Sequence, residues 1–173
     1  MKKYWPLRVA EAVADVLTAY MTVQARQGLS AAYSEYLLYD PIVRVARYRG
    51  WEIRSEWPLP KSAPSRGDNR RIDFRIKTSP KARRALLLEV KYSKSISGVI
   101  NVEKDVAKLQ YQLAREASGS RALLVVAGRR KRKTRDSVHD IATKPSFATA
   151  LYTTVYVGAS TTFGVTVFEV MAG

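Results

Sequence analysis

Hydrophobic positions first recur at helical spacing. Leu7, Ala10, Val13, Ala14, Leu17 and Met21 share one face over residues 6–27; Pro6 suits a first turn and Gly28 can end the helix. Ser30 can cap a second helix with Tyr33, Leu37 and Leu38 on one side, and Ile42, Val43 and Ala46 carry the pattern to Gly50. Within it, Asp40-Pro41 reads as a kink or as a fresh cap followed by proline at the first helical position. WEIRSEW then alternates like a strand, and PLPKSAPSRGDN has the composition of a loop. RRIDFRIK and ALLLEVKYS are two further strands joined by TSPKARR. Residues 101–117 form a helix striped by Val102, Val106, Leu109 and Leu113, and RALLVVAG is a strand buried on both faces. A short helix or loop runs on to about residue 150. The β-branched and aromatic TTVYVGASTTFGVTVFEV closes the chain with one or two strands. This order predicts one α/β domain over residues 1–173, a central mixed sheet with helices on both faces.

Charge narrows the class of partner. Thirty Lys and Arg against 15 Asp and Glu leave a net +15 on 173 residues, a field that attracts polyanions and binds phosphate backbones by counterion release. Nucleic acid is the leading partner and an anionic membrane surface the weaker one. With no cysteine and His139 the single histidine, disulfide scaffolds, zinc ribbons, thiol nucleophiles and His-rich metal cages are excluded. No apolar stretch is long enough to span a bilayer, and Glu11 and Asp15 interrupt the apolar start as no signal peptide would. A cytoplasmic, intracellular protein is expected.

The candidate chemistry lies in the two neighbouring strands. Ile72, Phe74 and Ile76 should point one way and Arg71, Asp73 and Arg75 the other; Leu86, Leu88, Val90 and Tyr92 should share a face opposite Leu87, Glu89 and Lys91. An antiparallel hairpin pairing Ile76 with Leu86, Phe74 with Leu88 and Ile72 with Val90 sets Asp73 across from Glu89, although registers shifted by two also match apolar faces. Opposed carboxylates about 5 Å apart at Cβ repel unless a cation lies between them. A hard divalent ion held by one or two carboxylates can neutralise a phosphate and activate water. Lys91, on the same strand face, can stabilise the phosphate or help deprotonate the water, and without an ion would partly neutralise the two acids.

IDF at 72–74 followed by LLLEVKY at 86–92 resembles the PD-(D/E)xK, restriction-endonuclease-like nuclease superfamily over roughly residues 30–127. Ile72 stands where the name-giving proline would be. The resemblance implies Mg²⁺ (or Mn²⁺) bound by Asp73 and Glu89, with Lys91 catalytic. It also implies a metal-assisting glutamate on a helix before the first core strand, matched in placement by Glu35, and a polar residue on the helix after ExK, for which Gln110 is the candidate with Gln112 behind it. The function expected is Mg²⁺-dependent phosphodiester cleavage, of DNA before RNA and as an endonuclease before an exonuclease. Structure-selective cutting, as in the archaeal Holliday-junction resolvases of that superfamily, would call for a homodimer.

Other features are weaker. RRKRKTR at 129–135, with Arg129, Arg130, Lys131, Arg132 and Lys133, can track a phosphate backbone, or be a solvated loop. Arg66, Arg70, Arg71 and the KARR connection at 81–84 can form a second contact surface. Asp73 and Glu89 can also be read as exposed strand residues paired with Arg71, Arg75 and Lys91, but a glutamate inside LLLEV is costly without a role. The rival functions are a nucleic-acid-binding module without chemistry, and a subunit of a larger nuclease or defence complex.

Overall fold

The computed structural model describes residues 4–28, 34–60, 71–93, 102–130, 148–157 and 162–172. The Ser30 cap, Tyr33, Arg66, Arg70, Lys131, Arg132, Lys133 and His139 lie outside them. The order is α1 (Trp5–Arg26), a 3₁₀ turn (Glu35–Leu38), α2 (Tyr39–Tyr48), β1 (Glu52–Pro58), β2 (Arg71–Lys77), β3 (Leu86–Ser93), α3 (Glu103–Leu113), β4 (Arg121–Arg130), β5 (Ala148–Val157) and β6 (Thr162–Val170). Among the described residues six strands form one mixed sheet in the order β1-β2-β3-β4-β6-β5. β3 and β4 run parallel and every other neighbouring pair is antiparallel. No helix among the described residues is long and apolar enough to cross a membrane.

Each face of the sheet has its own core. α1, the 3₁₀ turn and α2 bury Val13, Leu17, Met21, Leu38 and Ile42 against Phe74, Ile76, Leu86, Leu88, Val90, Leu123, Val125 and Phe163. α3 buries Val106 and Leu109 against Ile72, Leu87, Ala122, Leu124 and Val126 on the other face. β3 and β4 therefore touch apolar side chains on both sides, which is why LLLEV and LLVVA read as continuous hydrophobic runs. Asp40-Pro41 is neither kink nor cap: α2 begins at Tyr39, so both lie in its first turn, where proline's missing N–H costs little.

The β2–β3 hairpin has the expected register: Ile76 pairs with Leu86, Arg75 with Leu87 and Phe74 with Leu88. There the ladder ends. The Ile72–Val90 pair does not form, and Ile72 packs on the α3 side while Phe74 and Ile76 pack on the α1 side. The regular alternation predicted for β2 is thus broken at Asp73. Alongside, in β1, Ser55 pairs with Phe74 and Trp57 with Ile72, which leaves Glu56 between them with a left-handed φ of 52°. A non-glycine residue in that region interrupts the pleat, and the interruption falls beside the candidate acid.

Candidate active site

Where the ladder stops, side chains replace backbone partners. The Val90 N–H donates to Asp73 Oδ2 at 2.7 Å, and the Asp73 N–H reaches Glu89 Oε2 at 3.4 Å. The two acids are therefore joined through the backbone of β2. Asp73 Oδ1 accepts the Tyr39 hydroxyl from the start of α2. Glu89 is buried, and its Oε1 meets the ammonium of Lys108, equally buried on α3.

A second group lies beside the first. Lys91 Nζ is 3.5 Å from Asp105 Oδ2 and 3.7 Å from Glu35 Oε1. Glu35 Oε1 also accepts the Tyr92 N–H at 3.3 Å, which ties the 3₁₀ turn to β3. Lys108 Nζ stands 4.0 Å from Asp105 Oδ1 and so links the two groups. Four acids and two lysines from the 3₁₀ turn, β2, β3 and α3 are drawn together, with Glu35 and Lys91 on the solvent side, their side chains 39% and 34% exposed.

The electrostatics follow from burial. Desolvation, then the charge of Asp73, push the Glu89 carboxyl up to about 8, and the lowering pull of Lys108 does not offset them. Burial also raises Asp73 above the ordinary carboxylate range, against the bonds from Tyr39 and Val90. Burial and the Asp73 charge raise the Tyr39 hydroxyl as well, so it stays a donor. For Lys91, burial acts downward, but Asp105 and Glu35 outweigh it and hold its ammonium above the usual lysine value. That favours a charge-stabilising part for Lys91 over that of a base.

Of the residues singled out in the sequence, Asp73, Glu89, Lys91 and Glu35 are brought together. Gln110 is not: its amide donates to the Met171 carbonyl at 3.0 Å. Gln112 is buried and bonds Glu116 at 3.2 Å. Helix α3 instead presents Asp105 and Lys108, one turn apart, to the acids. Sequence reasoning missed both, because an i, i+3 Asp–Lys pair on a helix reads as a surface ion pair. It missed Tyr39 too, for lack of any local signal. The expectation that Lys91 neutralises Asp73 and Glu89 is corrected, since Lys108 takes Glu89 and Lys91 turns to Asp105 and Glu35.

Arg71, at the start of β2, is exposed and 3.5 Å from Glu56. Lys81, Arg83 and Arg84 are exposed on the β2–β3 connection. Arg129 and Arg130 close β4, paired through the backbone with Phe163 and Thr162. Ser93 pairs with Gly128, so the basic run starts at the end of the sheet towards which Lys91 lies. Arg75, expected as a possible partner of the acids, forms a fork with Glu116 at 2.9 and 2.8 Å. A cleft of about 580 Å³ lies elsewhere, lined by Tyr4, Glu116, Arg121 and Glu169 among others; Arg121 there is already held by Glu169 and Tyr4.

Among the described residues no group of three or more His, Cys, Asp or Glu side chains is arranged to hold a metal ion. The donor type nevertheless suits a hard cation: two carboxylates of adjacent strands, one raised in pKa by burial and then by the charge of the other. Mg²⁺ commonly takes one or two carboxylates and keeps several waters. Compared with protein-family models, with curated proteins and with solved structures, the chain shows no match in any of the three.

Proposed function

We propose that this chain is a metal-dependent nuclease of restriction-endonuclease-like architecture that hydrolyses phosphodiester bonds, in DNA before RNA. The observation that carries the reading is the meeting of Asp73 and Glu89 at the end of the β2–β3 ladder, with Lys91 beside them. Burial and then the Asp73 charge raise the cost of ionising Glu89, an arrangement that serves a bound cation better than stability.

Asp73 and Glu89 would hold Mg²⁺ or Mn²⁺, with Glu35 nearby. When bound, such an ion neutralises phosphate charge and lowers the pKa of water. Tyr39 orients Asp73 through its hydroxyl. Lys91, kept protonated by Asp105 and Glu35, offers an ammonium to a phosphate oxygen. Arg71 and the run from Arg129 would supply charge at the Lys91 end of the sheet that draws the polyanion in.

One contact favours a second reading. Lys108 places an ammonium on Glu89, where it supplies positive charge that a metal would otherwise supply. A chain whose lysine has taken that part would bind nucleic acid without cutting it. Plasmid, linear and branched DNA and RNA, incubated with Mg²⁺ or Mn²⁺ and then with EDTA, separate the two. Cleavage that needs the ion and is lost in Asp73→Ala and Lys91→Ala supports the nuclease. Binding without cleavage by the wild type favours the module.

A further inference from the structure

We propose that the ring of Tyr36 is a stacking platform for an unpaired nucleobase beside the carboxylate cluster, so that the preferred substrate is a strand with at least one base outside a duplex. The inference rests on the nucleic-acid reading of this site and specifies the substrate form. Tyr36 is 76% exposed. Exposure alone means little, since single surface aromatics are common. Its placement says more. The Tyr36 ring centroid lies 5.6 Å from that of Tyr39, and Tyr39 lies edge-on to the buried ring of Phe74 at 4.7 Å.

Tyr36 is thus the outermost of three rings that begin in the core, and the middle ring donates its hydroxyl to Asp73. The turn that carries the ring is tethered to the sheet. The neighbouring Glu35 accepts the Tyr92 N–H and faces Lys91. A ring that rests on Tyr39 and rises from a tethered turn loses less entropy when a base settles on it than one on a free loop. Base–aromatic stacking is tolerant of sequence but needs an open base face, which a paired and stacked duplex does not offer. A backbone attracted by the net +15 would then have its phosphate close to Asp73 and Lys91 while the adjoining base rests on Tyr36.

Binding is tested in EDTA, apart from any chemistry. The probes are a single-stranded oligonucleotide carrying 2-aminopurine and the fully paired duplex of the same sequence. The wild type is expected to quench the 2-aminopurine on binding. Tyr36→Ala should lose the quench and about tenfold in single-strand affinity, with duplex affinity unchanged, while Tyr36→Phe and Tyr36→Trp keep both. An exposed ring can be removed without loss of the fold, which circular dichroism checks. No loss in Tyr36→Ala, an equal loss on both probes, or a wild type that does not bind the single strand overturns the platform. If the wild type fails to cleave in Mg²⁺ while Asp73→Asn still shows the Tyr36-dependent quench, the nuclease reading fails and the platform stands.

Discussion

Lys108 on α3 and Glu89 on β3 form an ion pair inside the protein, each side chain 7% exposed. Removing one partner of a buried pair strands the other, at a cost of about 3–5 kcal/mol when the remaining charge cannot neutralise. Here it can, because Glu89 already has a raised pKa. Lys108→Met should therefore destabilise by a smaller amount, about 1–3 kcal/mol at pH 8, measured by urea unfolding in EDTA. Mg²⁺ should restore part of the loss if Glu89 is a ligand. A variant that unfolds at the wild-type midpoint would show the pair to be without energetic weight.

Glu89 also sets a pH dependence. Its folded value, about 8, stands above the ordinary 4.5. Between these values the folded state holds a proton that the unfolded chain has released, so the Glu89 contribution to stability falls as pH rises through that window. Glu89→Gln removes the slope. Because the variant also leaves the buried Lys108 ammonium without its carboxylate, its melting temperature in EDTA should lie below that of the wild type at pH 5, and the gap should narrow towards pH 8. Parallel pH profiles for the two proteins would contradict the burial argument.

Arg75 and Glu116 tie β2 to the turn that follows α3, with side chains 14% and 7% exposed, and Arg75 also lies over the Trp57 ring at 4.7 Å. Burial acts to raise the Glu116 carboxyl, but the bonds from Arg75 and Gln112 outweigh it and hold its pKa below the usual value. This contribution is present at neutral pH and is lost as pH falls through the depressed value. Arg75→Ala should cost about 3 kcal/mol at pH 7, with the difference shrinking in acid. Guanidinium unfolding at the two pH values checks both parts.

Glu56 has a φ of 52°, a region that costs a non-glycine residue about 1 kcal/mol or more. Its bond to Arg71 is exposed and weak. Glu56→Gly should therefore raise stability by about 1 kcal/mol, or roughly 2–4 °C in Tm, while Glu56→Ala should not. A loss of stability in Glu56→Gly, seen by calorimetry, would mean that the left-handed turn carries no strain.

How much of this is legible in the sequence depends on range. The hairpin is legible because alternation within RRIDFRIK and LLLEVKYS leaves few registers that bury Phe74 and Ile76 against Leu88 and Leu86. Gly28 and Gly50 end their helices with positive φ, as local chemistry predicts. The break at Asp73 is not legible, because it arises between strands: the Glu56 conformation and the side-chain bond to Val90 have no local pattern. That Lys108 meets Glu89 while Gln110 does not is illegible for a similar reason. Which polar residue of α3 meets Glu89 depends on the helix's rotation about its axis, and the stripe of Val102, Val106 and Leu109 leaves two neighbouring positions open. Least legible is the last third, where an uncharged β5 and a β6 inserted between it and β4 follow a segment with no clear period.

The bond from Val90 N–H to Asp73 Oδ2 gives the cluster a built-in reporter. Whatever draws that oxygen elsewhere leaves a backbone amide in the middle of the sheet without its acceptor. Occupancy of the site should then be visible as a change in the hydrogen-exchange rate and chemical shift of one amide, read without any substrate, and the stiffness of β3 becomes a property that the contents of the site can tune.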